Sequence, residues 1–326
     1  MHRVLGRVGR AGLVVTPVAL VVGAFVGPGV VEFGYGGVLA VVGVLAVVVD
    51  GRRAFERGFE VGDGRGLAVD DGDLAAVLAA VGAAGGTYAL SVHAGSGPVV
   101  ASAVVGRVAG VGLAEVDAAA YCGSFVGMVS PAVFSSVAAV LVAGLIAGVA
   151  FVATRESFAG FGGKLGTLAL FGCATMGLVV GVEYAPAGGV PWASAVVVVP
   201  TAVVAAVVTA ALSDRFGLGA VVASALVGVV AGVALPVVVP DGGGRLAAVA
   251  FCASFVGMSS RERLGSARSV AAAGAVCGLV FVGAAPAFAG TGGKLGTTAF
   301  VSCLAVAGGD RVVSAVRDGD GASARR

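Results

Sequence analysis

Apolar runs recur along almost the whole chain and are separated by short polar or glycine-rich stretches. Many of them reach the roughly 20 residues that a helix needs to cross a bilayer. Runs such as Val38–Val49 and Ala220–Leu235 are continuous and do not alternate apolar with polar residues, as the strands of a membrane β-barrel would. Because backbone groups inside a bilayer must be hydrogen-bonded within their own segment, this pattern predicts an all-α polytopic membrane protein.

The composition supports this prediction. Hydrophobic residues make up 58% of the 326 residues and charged residues only 12%, whereas a soluble domain carries about 25% charged residues. The chain therefore lacks the charge to cover a water-facing surface, and the lipid bilayer is its expected partner. The net charge of +2 and the absence of a basic patch with interleaved aromatic residues do not favour a nucleic-acid partner.

The pattern divides the chain into four regions. An N-terminal transmembrane hairpin, with spans at 12–31 and 34–49, is followed by a charged cytoplasmic loop. Two membrane repeats come next, the second preceded by a linker, and a polar cytoplasmic tail comes last. The hairpin and its loop span 1–73, and the first repeat spans 74–183. The linker and the second repeat span 184–309, and the tail spans 310–326.

An internal duplication defines the two repeats. Three stretches of the first repeat recur in the second, with 13 of 17, seven of nine and nine of ten positions identical. The paired stretches are Gly97–Leu113 with Gly219–Leu235, Cys122–Ser130 with Cys252–Ser260, and Phe158–Thr167 with Phe288–Thr297. We therefore expect residues at matching places to occupy matching environments.

Each repeat contains five apolar segments, and the third is short in both copies. The segments are 74–92, 98–116, 118–130, 133–153 and 165–182 in the first repeat, and 194–212, 220–239, 246–259, 267–287 and 295–309 in the second. Apolar segments of about 10–14 residues are more often re-entrant or broken than plain spans. The third segments are therefore the expected interruptions of the bundle.

Two topologies remain open. If the short segments cross the bilayer, each repeat has five crossings, the repeats are inverted, and the chain has 12 segments. If they are re-entrant, the repeats are parallel and the chain has 10 spans. Both place the N- and C-termini in the cytoplasm. The positive-inside rule favours inverted repeats, because only Arg245 and Lys294 then lie outside. Parallel repeats would place Arg155, Lys164, Arg215 and Lys294 there.

The main candidates for chemistry are the only two lysines, Lys164 and Lys294, since the other 18 basic residues are arginines. Each lysine follows two glycines, the second being Gly163 or Gly293, and is predicted to begin a helix. A helix N-terminus carries partial positive charge, and an anion held between it and the ammonium group would relieve the repulsion. The alternatives are that each lysine snorkels to the headgroups or is tied to backbone carbonyls.

The duplicated serine-containing segments are the second candidate feature. Matching short, glycine-interrupted segments in two halves of a membrane protein point to a transport site. We predict that these segments and the lysines line a central cavity, although the glycines would also suit close helix packing. The predicted substrate-binding residues that accompany the lysines and their glycines are Thr167, Thr297, Ser124, Ser254, Gly127, Gly257, Ser130 and Ser260.

No metal, cofactor or catalytic site is predicted. The five cysteines lie in apolar or glycine-rich stretches and lack the spacing of a zinc or haem site. They are expected to be small buried hydrophobes. An intramembrane enzyme acting on lipids is the weakest functional hypothesis, since no paired carboxylates or metal ligands lie inside the predicted spans.

The layout resembles that of inverted-repeat carriers and channels, although no motif points to a particular family. We expect a transporter or channel in the cell membrane for a small anionic solute, with the site at the repeat interface; homo-oligomerisation stays open. The alternative is a non-transporting membrane scaffold or assembly subunit. The transport hypothesis requires both lysines to face a shared polar cavity, whereas the scaffold hypothesis expects a dry, filled centre.

Overall fold

A computed structural model describes residues 2–26, 71–182 and 189–323 of the chain. Over these ranges the protein is helical and contains no β-strand. The predicted second span at 34–49, most of the charged loop and part of the linker lie outside the described residues. The helices, numbered along the chain, are α1 His2–Val26, α2 Asp71–Tyr88, α3 Pro98–Gly112, α4 Asp117–Val126, α5 Val137–Ala153, α6 Lys164–Val180, α7 Ala195–Asp214, α8 Ala220–Val238, α9 Gly243–Gly257, α10 Ala267–Gly283 and α11 Lys294–Ser323.

Three of the helical stretches are long and apolar enough to cross a bilayer, namely Asp71–His93, Trp192–Asp214 and Ala220–Val238. The first includes a π-helical turn after α2, and the second begins with a 3-10 turn before α7. Large apolar side chains lie on the outside of the bundle, with Leu178 85% and Val196 79% exposed. Such an apolar exterior is typical of a protein whose solvent is lipid.

The segment boundaries follow local signals in the sequence. Ser136 caps α5 by accepting a hydrogen bond from the backbone N–H of Ala138 at 3.1 Å, and Ser266 caps α10 in the same way. Pro98 begins α3, a position where the missing N–H costs nothing. The third segment of the first repeat is a short helix, since α4 has only 10 residues, whereas α9 in the second repeat has 15 and is as long as α3.

The two ends of the described chain differ from the predicted segments. Helix α1 begins at His2, ten residues before the predicted start of the first span at 12. Helix α11 runs on to Ser323, well past the predicted end of the last apolar segment at 309. No proline interrupts residues 294–323, so the helix continues after the apolar pattern stops.

Helices α3 and α8, which come from the duplicated stretches, pack against each other in opposite directions. A Cβ atom added to Gly110 would lie 2.6 Å from Val222 Cγ2, and one added to Gly232 would lie 2.7 Å from Val100 Cγ2. The C-terminal part of each helix therefore meets the N-terminal part of the other. The small residues allow the two backbones to approach closely along most of α3.

Helices α6 and α11 meet in the same manner at their first turns. A Cβ atom added to Gly166 would lie only 2.4 Å from the Cα of Gly296. One added to Gly163 would lie 2.4 Å from the backbone nitrogen of Phe300, and one added to Gly293 would lie 2.3 Å from that of Leu170. Higher residue numbers on one helix again meet lower numbers on the other, so the two helices run antiparallel where they touch.

The loops that precede α6 and α11 make reciprocal contacts with the interruptions after α9 and α4. The backbone N–H of Ser130 donates to the carbonyl of Gly290 at 2.8 Å, and that of Ser260 donates to the carbonyl of Gly160 at 2.8 Å. The same hydrogen bond therefore forms twice between matching residues, once in each direction.

One end of the helical bundle collects arginine side chains, and we call it the arginine end. Arg155 after α5 forms an ion pair with Asp73 in the first turn of α2, at 3.1 Å. Arg261 pairs with Asp214 at the end of α7, at 3.0 Å. Arg263 donates from Nε to the carbonyl of Ala159 at 2.8 Å, which brings the loop after α9 to the loop after α5.

Candidate functional site

The two lysines begin α6 and α11, as the sequence predicts. Lys164 Nζ donates to the carbonyls of Thr154 at 2.6 Å and Arg155 at 3.0 Å, and Lys294 Nζ donates to the carbonyl of Ala285 at 2.5 Å. These carbonyls lie just beyond the ends of α5 and α10, where backbone acceptors lack helical partners and a cation is favourable. The structure therefore ties both ammonium groups to backbone carbonyls, which is one of the alternatives weighed from the sequence.

Each ammonium group keeps at least one N–H donor that these hydrogen bonds to carbonyls do not use. An ammonium group has three N–H donors, and Lys164 uses two of them on carbonyls. Carbonyl dipoles solvate the charge but do not cancel it. Within the described ranges, no carboxylate forms an ion pair with either lysine. Lys164 is only 7% exposed, so its ammonium group is buried without a carboxylate partner among the described residues.

The neighbouring glycines and threonines shape the helix starts. Gly163 and Gly293 have φ angles of 83° and 82°, a left-handed conformation that side chains other than glycine rarely adopt. Thr167 Oγ1 donates to the carbonyl of Gly163 at 3.3 Å, and Thr297 Oγ1 donates to that of Gly293 at 3.2 Å. Both hydroxyl groups are buried, so they stabilise the first turn of their own helix.

The structure places Ser124 and Ser254 in packed protein. Both are fully buried, and each Oγ donates to a carbonyl of its own helix: that of Tyr121 at 2.8 Å and that of Phe251 at 2.6 Å. They also contact the hydroxyl groups of Ser102 and Ser224 at 2.9 and 2.8 Å. These pairs join α4 to α3 and α9 to α8.

The remaining predicted residues lie at the ends of α4 and α9. A Cβ atom added to Gly127 would lie 2.3 Å from the carbonyl oxygen of Ala84, and one added to Gly257 would lie 2.4 Å from that of Ala206. Close helix packing thus accounts for both glycines. Ser130 Oγ accepts a hydrogen bond from the backbone of Ala132 at 3.2 Å, while Ser260 meets Gly160 in the loop before α6.

A cavity of about 280 Å³ lies beside Lys164. Its walls combine the Gly160–Lys164 loop with apolar side chains from both repeats. Phe125 comes from the first repeat, and Phe255 and Met258 come from the second. The full lining is Ala118, Phe125, Phe151, Arg155, Ala159, Gly160, Phe161, Gly162, Gly163, Lys164, Leu165, Phe255 and Met258. Of the predicted site residues, only Lys164 and Gly163 are in this wall. Lys294 does not line it, so it is not the cavity shared by both lysines that the transport hypothesis requires.

A cluster of four aromatic rings fills the space between α4 and α9, and we call it the ring cluster: Tyr121, Phe125, Phe251 and Phe255. Ring centroids are 4.4 Å apart for Tyr121 and Phe125 and 4.7 Å apart for Phe125 and Phe255. All four side chains are at most 2% exposed. These four residues are not among the predicted site residues, although their spacing of four positions in two duplicated segments was the available signal.

The cysteines are buried and free, as expected for small hydrophobic residues. Cys122 and Cys252 make matching contacts, with Sγ donating to the carbonyls of Leu165 at 3.2 Å and Leu295 at 3.1 Å. In the part of the chain that the structure describes, no group of three or more histidine, cysteine, aspartate or glutamate side chains could hold a metal ion.

Comparisons of the chain with protein families, with curated proteins and with solved structures find no match. The cavity, the lysines and the ring cluster are therefore the features that point to a function.

Proposed function

We propose that the chain is a membrane transporter for a small anionic solute, with two repeats inserted in opposite orientations. The observation that carries this proposal is the cavity beside Lys164, whose wall combines this buried lysine, which has no carboxylate partner in the described ranges, with aromatic side chains from both repeats. Charged groups at membrane depth are costly, about 2.5–3.5 kcal/mol on insertion scales, and they mark solute pathways by default. A bound anion would offset that cost.

The inverted orientation is supported by the direction of matching helices. A twofold axis in the membrane plane relates helices that run in opposite directions, whereas an axis along the membrane normal relates helices that run the same way. The pairs α3 with α8 and α6 with α11 are antiparallel where they touch. Parallel repeats would also separate Arg155 from Arg263 by the thickness of the bilayer, yet Arg263 contacts the carbonyl of Ala159.

The orientation predicts which loops face the cytoplasm. The arginine end is expected to be cytoplasmic under the positive-inside rule. Single cysteines can replace exposed residues, since the native cysteines are buried. We expect Ser96→Cys and Asp241→Cys to react with a membrane-impermeant maleimide in intact cells, and Glu156→Cys and Glu262→Cys only after lysis. Labelling of positions 156 and 262 from opposite sides would instead support parallel repeats.

The ring cluster favours a carrier over a permanently open channel. Four closely packed rings between α4 and α9 leave the solute no polar route through that region. In a carrier, rocking of one repeat against the other exposes the site to each side in turn. The matching surroundings of Lys294 would then form the corresponding cavity in the other state.

A non-transporting scaffold is the second candidate, and the ring cluster together with the close glycine contacts favours it. A scaffold needs a dry, tightly packed centre, and Gly127 and Gly257 provide such packing. The two functions differ in what they require of Lys164. A scaffold uses only its hydrogen bonds to the carbonyls, whereas a transporter also uses its charge.

The deciding experiment measures anion uptake into proteoliposomes. Replacing Lys164 or Lys294 with glutamine keeps a hydrogen-bond donor for the carbonyls but removes the charge. Hydrogen bonds to charged groups contribute about 1.5–3 kcal/mol, so each variant is expected to lower uptake by about tenfold or more.

Arg107→Gln is the matched control for this experiment, because it removes one positive charge from an exposed position on α3. Its uptake should equal that of the unaltered protein. If both lysine variants take up the anion as fast as the unaltered protein, the proposal that the lysines bind the anion is contradicted. Failure of the unaltered protein to move any anion, despite correct folding, would support the scaffold.

A further inference from the structure

We propose that the solute class is an organic monoanion with a compact apolar body, such as an aromatic carboxylate, rather than an inorganic anion. This inference rests on the proposed transport function and specifies the ligand of the same cavity. It depends on three properties of the cavity: its size, its apolar lining and the single lysine in its wall that has no carboxylate partner among the described residues.

The size of the cavity exceeds what an inorganic anion needs. A volume of about 280 Å³ corresponds to roughly nine water molecules at about 30 Å³ each. It lies just below the range of about 300–1,000 Å³ that holds drug-sized ligands. Chloride or phosphate would leave most of this volume to water in contact with apolar walls. A carboxylate attached to one ring would fill a much larger share of it.

The lining of the cavity suits an apolar, ring-shaped body. Four phenylalanine side chains take part in the wall: Phe125, Phe151, Phe161 and Phe255. Aromatic rings favour offset or edge-to-face contact with another ring, and Met258 adds a flexible side chain that adapts to the shape of a ligand. The guanidinium group of Arg263 lies 4.8 Å from the centroid of the Phe161 ring, which holds that ring in place.

The charge of the cavity wall fits one negative charge. Only Arg155 and Lys164 carry formal charge among the lining residues. Arg155 is already paired with Asp73 at 3.1 Å and its side chain is 54% exposed, so it contributes little net charge. Lys164 is 7% exposed and has no carboxylate partner in the described ranges. A dianion would leave one negative charge buried without a counter-charge, which is strongly unfavourable.

Equilibrium binding to the purified protein in detergent tests this inference. Radiolabelled benzoate is the probe, and unlabelled competitors separate the contributions. Benzyl alcohol has the ring without the charge, acetate has the charge without the ring, phthalate carries two charges, and chloride and phosphate are inorganic. We expect benzoate to compete at least about tenfold better than each of these, since either the charge or the apolar contact is missing or mismatched.

Two substitutions locate the binding site. Lys164→Gln is expected to weaken benzoate binding by about tenfold or more. Ala118→Phe keeps Lys164 and its hydrogen bonds but adds a ring to the half-buried cavity wall, and should abolish binding while the unfolding midpoint stays within a few degrees of the original. Arg107→Gln is the matched control, because it removes a positive charge from an exposed position that does not line this cavity. It should bind benzoate normally.

The failure of this inference differs from the failure of the proposed function. Uptake and binding of chloride or phosphate, with benzoate no better a competitor, would overturn the organic-anion assignment and leave anion transport standing. Unchanged benzoate binding in folded Ala118→Phe would also overturn it, because the site would then lie elsewhere. Absence of binding and uptake for every anion would overturn both proposals.

Discussion

Alanine at Gly166 or Gly296 is expected to reduce the free energy of unfolding by about 3 kcal/mol or more, at the upper end of the usual cost of overpacking. The added Cβ at either position would lie within 2.5 Å of a Cα atom of the opposite helix. Because the atom that the new Cβ meets is a backbone Cα in each case, no side-chain rotation can relieve the clash. Helices α6 and α11 must therefore separate. The measurement is the thermal or denaturant unfolding of the purified variants in detergent.

Gly82→Ala in α2 is the matched control, because nothing lies within 4 Å of a Cβ atom at that position. Alanine there should stabilise the helix by about 0.5–1 kcal/mol, since glycine is the more flexible residue in the unfolded chain. Normal stability of both Gly166→Ala and Gly296→Ala would show that α6 and α11 do not touch at these glycines. Only the contact between α3 and α8 would then remain as evidence that matching helices are antiparallel.

The duplication allowed several local features to be predicted from the sequence. Two glycines before each lysine predict that a helix begins at the lysine, and α6 and α11 begin at Lys164 and Lys294. These features depend on residues close together in the chain. The short third apolar segment of the first repeat likewise corresponds to the 10-residue helix α4, because length is itself a local property.

The partners of the lysines could not be predicted, because they are backbone atoms. The carbonyls of Thr154 and Ala285 bear no sequence signature, and any residue type would present the same acceptor. Chain topology alone brings the end of the preceding helix to the ammonium group. For the same reason, the sequence left an anion, the lipid headgroups and backbone carbonyls as alternative partners of the lysines.

The serines show a second limit of sequence reasoning. Duplicated hydroxyl groups in an interrupted segment fit a polar pathway and fit helix-to-helix hydrogen bonds equally well. Ser102 and Ser224, which contact Ser124 and Ser254 at 2.9 and 2.8 Å, lie in duplicated helices themselves. A search for hydroxyl groups at matching places in both copies would have found Ser102 and Ser224. That they contact Ser124 and Ser254 can be known only from the three-dimensional structure.

Removal of one ring from the ring cluster should have the second large effect. Phe251→Ala deletes a fully buried side chain whose ring centroid lies 4.7 Å from that of Phe255 and 6.1 Å from that of Phe125. Truncating a buried phenylalanine costs about 3–5 kcal/mol, because packing contacts are lost and a void remains. We expect a clearly lower unfolding midpoint in detergent, measured beside Phe216→Ala, whose side chain is 71% exposed and whose effect should stay within about 0.5 kcal/mol.

The same variant tests whether the rings separate the two sides of the membrane. Phe251 does not line the cavity beside Lys164, so benzoate binding should persist in protein that remains folded. If the ring cluster is the barrier of a carrier, the void left by Phe251→Ala lets water and small anions pass, and liposomes containing the variant should leak chloride passively. Folded Phe251→Ala that binds benzoate but shows no leak would place the barrier elsewhere in the bundle. The stability cost and the leak are independent readouts, because the first depends on packing alone and the second on the position of the rings across the pathway.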